Sequence, residues 1–155
     1  MAFNIQTTLD AITSHISRSG YVADALVGEP VSPPDTVDRI HAAIYMSGAS
    51  IVELTLTNTI EVHTVICRLY KRAAFGQGDD AGDVEKDVAL AVSEISSNLV
   101  GEYDLGATIR NIDIAGQYGT GMSATWGYIT IGSTVFRTVD LTIPLVVDDS
   151  GTQSA

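Results

Sequence analysis

Thr134-Val135-Phe136-Arg137-Thr138-Val139-Asp140-Leu141-Thr142-Ile143-Pro144-Leu145-Val146-Val147 is the stretch that decides the fold class. Val135, Val139, Leu141, Ile143, Leu145 and Val147 alternate with Thr134, Thr138, Asp140 and Thr142. Successive side chains of a strand point to opposite faces, so this period of two predicts a long strand in a sheet buried on one face. Gly132-Ser133 precedes it as a turn, and Ser123 to Ile131 reads as the strand before that turn. A glycine-rich link, Gly116 to Gly121, joins these to a further predicted strand, Thr108 to Ala115.

Upstream the periodicity changes. Val84, Val88, Val92, Ile95 and Leu99 recur at spacings of four, four, three and four, which predicts a helix over Asp83–Val100 closed by Gly101. Asp79, Asp80, Asp83, Glu85 and Asp87 crowd its start, where the helix dipole favours negative charge. Before it, Gly76 to Asp79 breaks a predicted strand, Ile60 to Arg72, which follows a turn at Asn58-Thr59. Val37 to Met46 and Ser50 to Thr57 read as a hairpin around Ser47-Gly48-Ala49. Residues 21–36, with Pro30, Pro33 and Pro34, read as an extended arm or loop, because proline denies a ladder its donors. Ile5, Leu9, Ile12 and Ile16 predict a first helix from Ile5 to Ser19, ended by Gly20. The expectation is one α+β domain, residues 1–147, with a mixed, mainly antiparallel sheet, two principal helices packed on it, and a flexible tail over 148–155.

The 155 residues suffice for one domain that buries about 68–70% of its unfolded surface. No apolar run reaches the roughly 18 residues of a membrane span, and Met1 to Gln6 shows no signal-peptide pattern. The single cysteine, Cys67, excludes an intrachain disulfide and suits synthesis in a reducing cytoplasm. Eight Lys and Arg against nineteen Asp and Glu give a formal charge of −11. Proteins that grip nucleic acid carry basic stripes. This chain would repel a phosphate backbone, as suits either plain solubility or a passage through which DNA slides.

Chemistry-bearing constellations are scarce. His15, His41 and His63 fall on different predicted elements. His63 and Cys67 share one strand face, but two ligands fall short of a zinc set. Gly116, Gly119 and Gly121 precede a strand rather than a helix, so they do not form a dinucleotide loop. The acids of 79–87 lack an EF-hand's alternation and central glycine. Trp126 and Tyr128 share a strand face and read as core packing by default. Arg110 and Arg137 lie in predicted strands with Asp113 and Asp140, which suggests cross-strand ion pairs. No catalytic residue, cofactor site or metal site is expected.

The order of elements, together with particular residues, resembles the tail terminator proteins of long-tailed bacteriophages, especially those of actinobacterial phages. The residues that carry the likeness are Val65-Ile66-Cys67-Arg68-Leu69-Tyr70, Asn98-Leu99-Val100-Gly101-Glu102-Tyr103-Asp104-Leu105-Gly106, Ile109-Arg110-Asn111-Ile112-Asp113, Ala124-Thr125-Trp126-Gly127-Tyr128 and Phe136 to Asp149. It spans nearly the whole chain as a pattern, with no chemically unique motif. The resemblance implies a virion tail protein that assembles with itself as a homo-hexameric ring, caps the tube of tail tube protein and meets the head-completion or connector protein. DNA would pass its lumen without specific binding. It implies no enzymatic residues and no membrane partner. Asp79, Asp80, Asp83, Glu85, Asp87, Arg110 and Arg137, with the arm from Val31 to Asp35, are the candidate interface or lumen residues. Two other readings stay open: another neck or tail component, such as a stopper or tube subunit, and a small ligand-binding or enzymatic α+β domain.

Overall fold

The structure, a computed structural model, describes residues 3–32, 39–73 and 81–148. Asp79, Asp80, the predicted break at 76–79, the prolines at 33–34 and the tail beyond 148 lie outside the described residues. Helix α1, Ile5–Ser17, begins where Asn4 accepts hydrogen bonds from the Gln6 and Thr7 amides at 3.0 and 3.2 Å, an N-cap that satisfies two of the helix's orphan donors. Strands β1 (Val22–Val27), β2 (Ile40–Leu54) and β3 (Thr59–Arg72) follow. Helix α2 covers Ala81–Gly101, and β4 (Asn111–Ile112), β5 (Ser123–Ile131) and β6 (Thr134–Asp148) complete the chain.

The strands form one six-stranded sheet in the order β1-β2-β3-β6-β4, with β5 also paired to β6. Among the described residues only β1 and β2 run parallel, and every other pair is antiparallel. The fold is α+β, a mixed and mainly antiparallel sheet with two helices, as the periodicities predicted.

Three segments depart from the sequence reading. Residues 40–54 are one continuous strand, not a hairpin about Ser47-Gly48-Ala49. The register slips at Met46/Gly48 and again at Ile51/Glu53, so Gly48 marks a β-bulge and the turn comes later, at Thr55 to Asn58. The arm read over 21–36 begins as strand β1, which pairs through Val22↔Ile40 to Val27↔Ile44 at the margin of the sheet, where Gly and Pro just downstream do no harm. The strand predicted over Thr108–Ala115 shrinks to Asn111–Ile112, because Leu105, Gly106 and Ala107 all adopt positive φ and Asp113 closes a tight loop after it.

Both helices pack on one sheet face. Ile12 and Ile16 of α1 and Val88, Ala91, Val92, Ile95 and Leu99 of α2 meet Ala42 and Ile44 of β2, Val65, Cys67 and Leu69 of β3, and Val139, Leu141, Ile143 and Leu145 of β6. Each large aliphatic side chain there contributes roughly 1.5–3 kcal/mol on burial. Pro144 is tolerated within β6 because its backbone faces the break where β5 ends, at Thr142, and β4 begins, at Leu145. Its carbonyl accepts from Asp113 at 2.9 Å on that side, and the missing N–H would point the same way.

Candidate functional site

The opposite sheet face carries the polar residues of the alternating strands. Arg68 of β3 and Asp140 of β6 are register partners there. The guanidinium donates Nε to Oδ1 at 2.5 Å and Nη2 to Oδ2 at 2.8 Å, and Nη1 reaches Glu29 at 2.9 Å. Arg68 also lies 5.7 Å from the Tyr45 ring centre. The bond to Asp140 holds the Arg68 proton more tightly than usual, and burial pushes the Tyr45 and Tyr70 phenols up. This network keeps Arg68 charged and both tyrosines neutral, which suits a fixed polar surface.

Each candidate cation is engaged. Arg110 pairs with Asp148 at 3.1 Å rather than with Asp113. Arg137 reaches across to α2, donating Nε and Nη2 to the two oxygens of Glu85 at 2.9 and 3.2 Å, rather than to Asp140. That pairing lowers the Glu85 carboxyl below its ordinary range, and the Arg137 guanidinium sits 4.7 Å from the Tyr128 ring centre. Asp87 bonds Lys71 of β3. Glu85 and Asp87 therefore tie the start of α2 to the sheet, while Asp83 is exposed, 3.9 Å from Lys86. Val31 and Ser32 of the arm are exposed; the remainder of that candidate segment lies outside the described residues.

The histidines each face a different carboxylate: His15 and Glu102 at 3.1 Å, His41 and Asp24 at 3.6 Å, His63 and Glu61 at 2.9 Å. Among the described residues no three His, Cys, Asp or Glu side chains gather as a metal set. His63 and Cys67 do share the helix-covered face, where Cys67 is fully buried and burial raises its thiol to about 12. A thiol so placed is neutral and unreactive. The carboxylate of Asp113, also buried, accepts from the amides of Gly116, Gln117 and Tyr118 at 2.9, 2.7 and 2.9 Å. It builds the glycine-rich link into a fixed loop that lays Tyr118 against Ile60, Val62 and Val146. The described residues line open clefts, of which two bear on function. One of about 440 Å³ lies beside β1, with Leu26, Glu29, Pro30, His41 and Tyr70 in its wall. The other, of about 370 Å³, includes Tyr21, Arg39, Lys71 and Asp87. The first cleft also has Ser32 and Asp24 in its wall, with Asp24 3.6 Å from His41.

Some of the exposed apolar residues lie at the sheet's margins, while others, among them Val31 of the arm and Leu90 and Val100 of α2, lie elsewhere. Leu26 and Val27 stand on β1, and Ile51 and Leu54 lie on the far half of β2 beyond the reach of β1. Leu56, at the β2–β3 turn, is 92% exposed. On the opposite margin Trp126 and Tyr128 of β5 are 40% and 66% exposed, so the default reading of this pair as core is overturned. Both point to the helix-bearing face, since their partners are Val139 and Arg137, yet β5 is the outermost strand there. The sequence gives the shared face of Trp126 and Tyr128 but not the position of β5 in the sheet, and that position decides their exposure.

No helix among the described residues is long and apolar enough to cross a membrane. No protein-family model and no curated protein matches this chain.

Proposed function

We propose that the chain is a structural virion protein of a long-tailed phage. Its copies form a ring, typically a hexamer, that caps the tail tube, ends its polymerisation and offers its other face to the head-completion or connector protein. The observation that carries this reading is the line of exposed apolar side chains along both sheet margins of a chain with formal charge −11: Leu26, Val27, Ile51 and Leu54 on one, Trp126 and Tyr128 on the other. Large apolar side chains left exposed at strand edges of an otherwise acidic protein suit association with protein. The acidic balance supports passage of DNA through the ring without adhesion. The likeness to tail terminators in Asn98 to Gly106 and Phe136 to Asp149 adds the position in the virion. The reading assigns no catalysis and no cofactor. A tube subunit, the nearest alternative among tail components, fits less well with helices of 13 and 21 residues.

The test is the native mass of the purified protein, with negative-stain images, followed by addition to growing tail tubes. Rings of about six copies that stop tube growth are expected. Tubes that lengthen unchecked in the presence of the protein would sink the capping role.

A further inference from the structure

We infer that copies of this chain join by sheet continuation, the outer edge of β5 in one copy pairing antiparallel with the outer edge of β1 in the next. The inference rests on the assembly reading above and names the contact surfaces. Among the described residues, β1 pairs only with β2 and β5 only with β6, so each leaves one row of backbone donors and acceptors unpaired. Edge strands are ordinarily guarded by lysine, proline, bulges or brevity. Strand β5 has none of these: its nine residues, Ser123–Ile131, include no charge and no proline, and its register with β6 is unbroken. In a chain of formal charge −11, the neutral strip of β5 is where a second copy approaches with least repulsion; β1, six residues long with one acid, Asp24, and a register shift between Val22 and Asp24, is the more guarded edge.

Strand direction fits the junction. β1 runs parallel to β2, β2 and β6 are both antiparallel to β3, and β5 is antiparallel to β6. β5 is therefore antiparallel to β1, and a copy set beside the first in the same orientation presents an antiparallel β1 to β5. The two edges also lie at the same level. The register rows run Leu26–Ala43–Arg68–Asp140–Thr125 on the outer face and Ala25–Ala42–Leu69–Val139–Trp126 on the helix-bearing face. Repeating the sheet sideways brings Thr125 of one copy opposite Leu26 of the next, and Trp126 over the small side chain of Ala25, with Val27 nearby. A two-fold pairing of β5 with itself would leave β1 open in every copy. Of the single contacts repeated in every copy, the head-to-tail one covers both edges, and when the rotation closes it removes every exposed edge at this level.

Two measurements test this on the full chain. Trp126 is the sole tryptophan, so assembly is expected to shift its emission to the blue; an assembled form with the emission of the free subunit overturns the inference. Cys67 is buried and does not compete for thiol reagents. Leu26→Cys combined in turn with Ser123→Cys, Thr125→Cys or Gly127→Cys samples a stagger of two residues either way along the same face. A short bis-maleimide is expected to link at least one of these double variants into a ladder of multimers, and none of the single variants. Linked dimers from Thr125→Cys alone would indicate two-fold pairing and overturn the proposal. Rings in the images with no ladder from any double variant overturn the edge contact and leave the capping role standing. A ladder ending in open filaments keeps the edge contact and removes the ring. A wild-type chain that stays monomeric, with every double variant unlinked, even beside tail tubes, removes both.

Discussion

Arg68 and Asp140 stand opposite each other on the two central strands of the sheet, joined by paired hydrogen bonds of 2.5 and 2.8 Å on the face that no helix covers. The Arg68 side chain is 21% exposed and that of Asp140 33%, so the pair is neither freely solvated nor sealed. Its fork geometry and the added contact to Glu29 fix the centre of a surface whose rows end at Leu26 and Thr125.

Removing one partner should cost more than losing the pair. Arg68→Met or Asp140→Leu leaves a half-buried charge without its match, and each is expected to lower stability by roughly 1.5–3 kcal/mol. The double variant Arg68→Met/Asp140→Leu should recover most of that, because two apolar neighbours on a strand pair need no partner. Urea midpoints for the four proteins close the cycle. Additive losses would mean that the two residues act separately.

Asp113 should matter far more than its polar character suggests. Three amides converge on its carboxylate, and Asp113→Ala leaves them without an acceptor inside a tight loop. A loss of about 2–3 kcal/mol is expected, with Asp113→Asn milder because one oxygen acceptor survives. Gly121→Ala should be as damaging by another route, since an added Cβ would lie 2.5 Å from the Ile114 carbonyl oxygen and 2.7 Å from the Gly116 nitrogen. Thermal melts of the three variants check both statements; a neutral Gly121→Ala would mean that the loop opens at little cost.

Ala107 offers a gain. It holds φ at 62°, in the left-handed region where a Cβ is strained, and its surface position leaves nothing to lose by truncation. Ala107→Gly is expected to raise stability by up to about 1 kcal/mol, the strain relieved less the added freedom of the unfolded chain. Leu105, at φ 50°, shares the strain but is 2% exposed within the core. Leu105→Gly should therefore lose at least about 2 kcal/mol despite the easier backbone. Melting shifts of opposite sign, the loss in Leu105→Gly larger than the gain in Ala107→Gly, are the expected reading.

These sites differ in how far the sequence announces them. The helix stripes at Ile12 and Ile16 and at Val88 to Leu99, and the alternation of β6, are local signals and are buried as their spacing implies. Gly48 misleads because a glycine among β-formers signals a turn and a bulge alike, and only the partner strand distinguishes them. β1 is hidden by its own brevity and by Gly28 and Pro30 close behind it. Arg68 and Asp140 are 72 residues apart, and nothing in either neighbourhood predicts that the other lies opposite. Arg137 shows the same limit: the acid nearest in its own strand is Asp140, whose side chain points to the other face, while Glu85 arrives from a helix.

Cys67 makes stability fall on the alkaline side. Burial, with a smaller push from Asp140, raises its thiol from 9.0 in the unfolded chain to about 12 in the folded one. Below the unfolded value both states hold the proton and the group adds no pH dependence. Between the two values the unfolded state sheds its proton first, so rising pH favours unfolding, by at most about 1.4 kcal/mol per pH unit for one group. Tyr45 and Tyr70, raised in the same direction, steepen the fall above their ordinary range. Urea denaturation between pH 8 and about 10.5, near the thiol and phenol ranges, should show this decline, and Cys67→Ala should flatten its first part whatever the variant's stability at neutral pH. At neutral pH the native thiol should resist an aromatic disulfide reagent until denaturant is added, so that the rate of labelling reports opening of the core. Prompt labelling of the native chain, or an unchanged slope in Cys67→Ala, would contradict the placement of this thiol between the helices and the sheet.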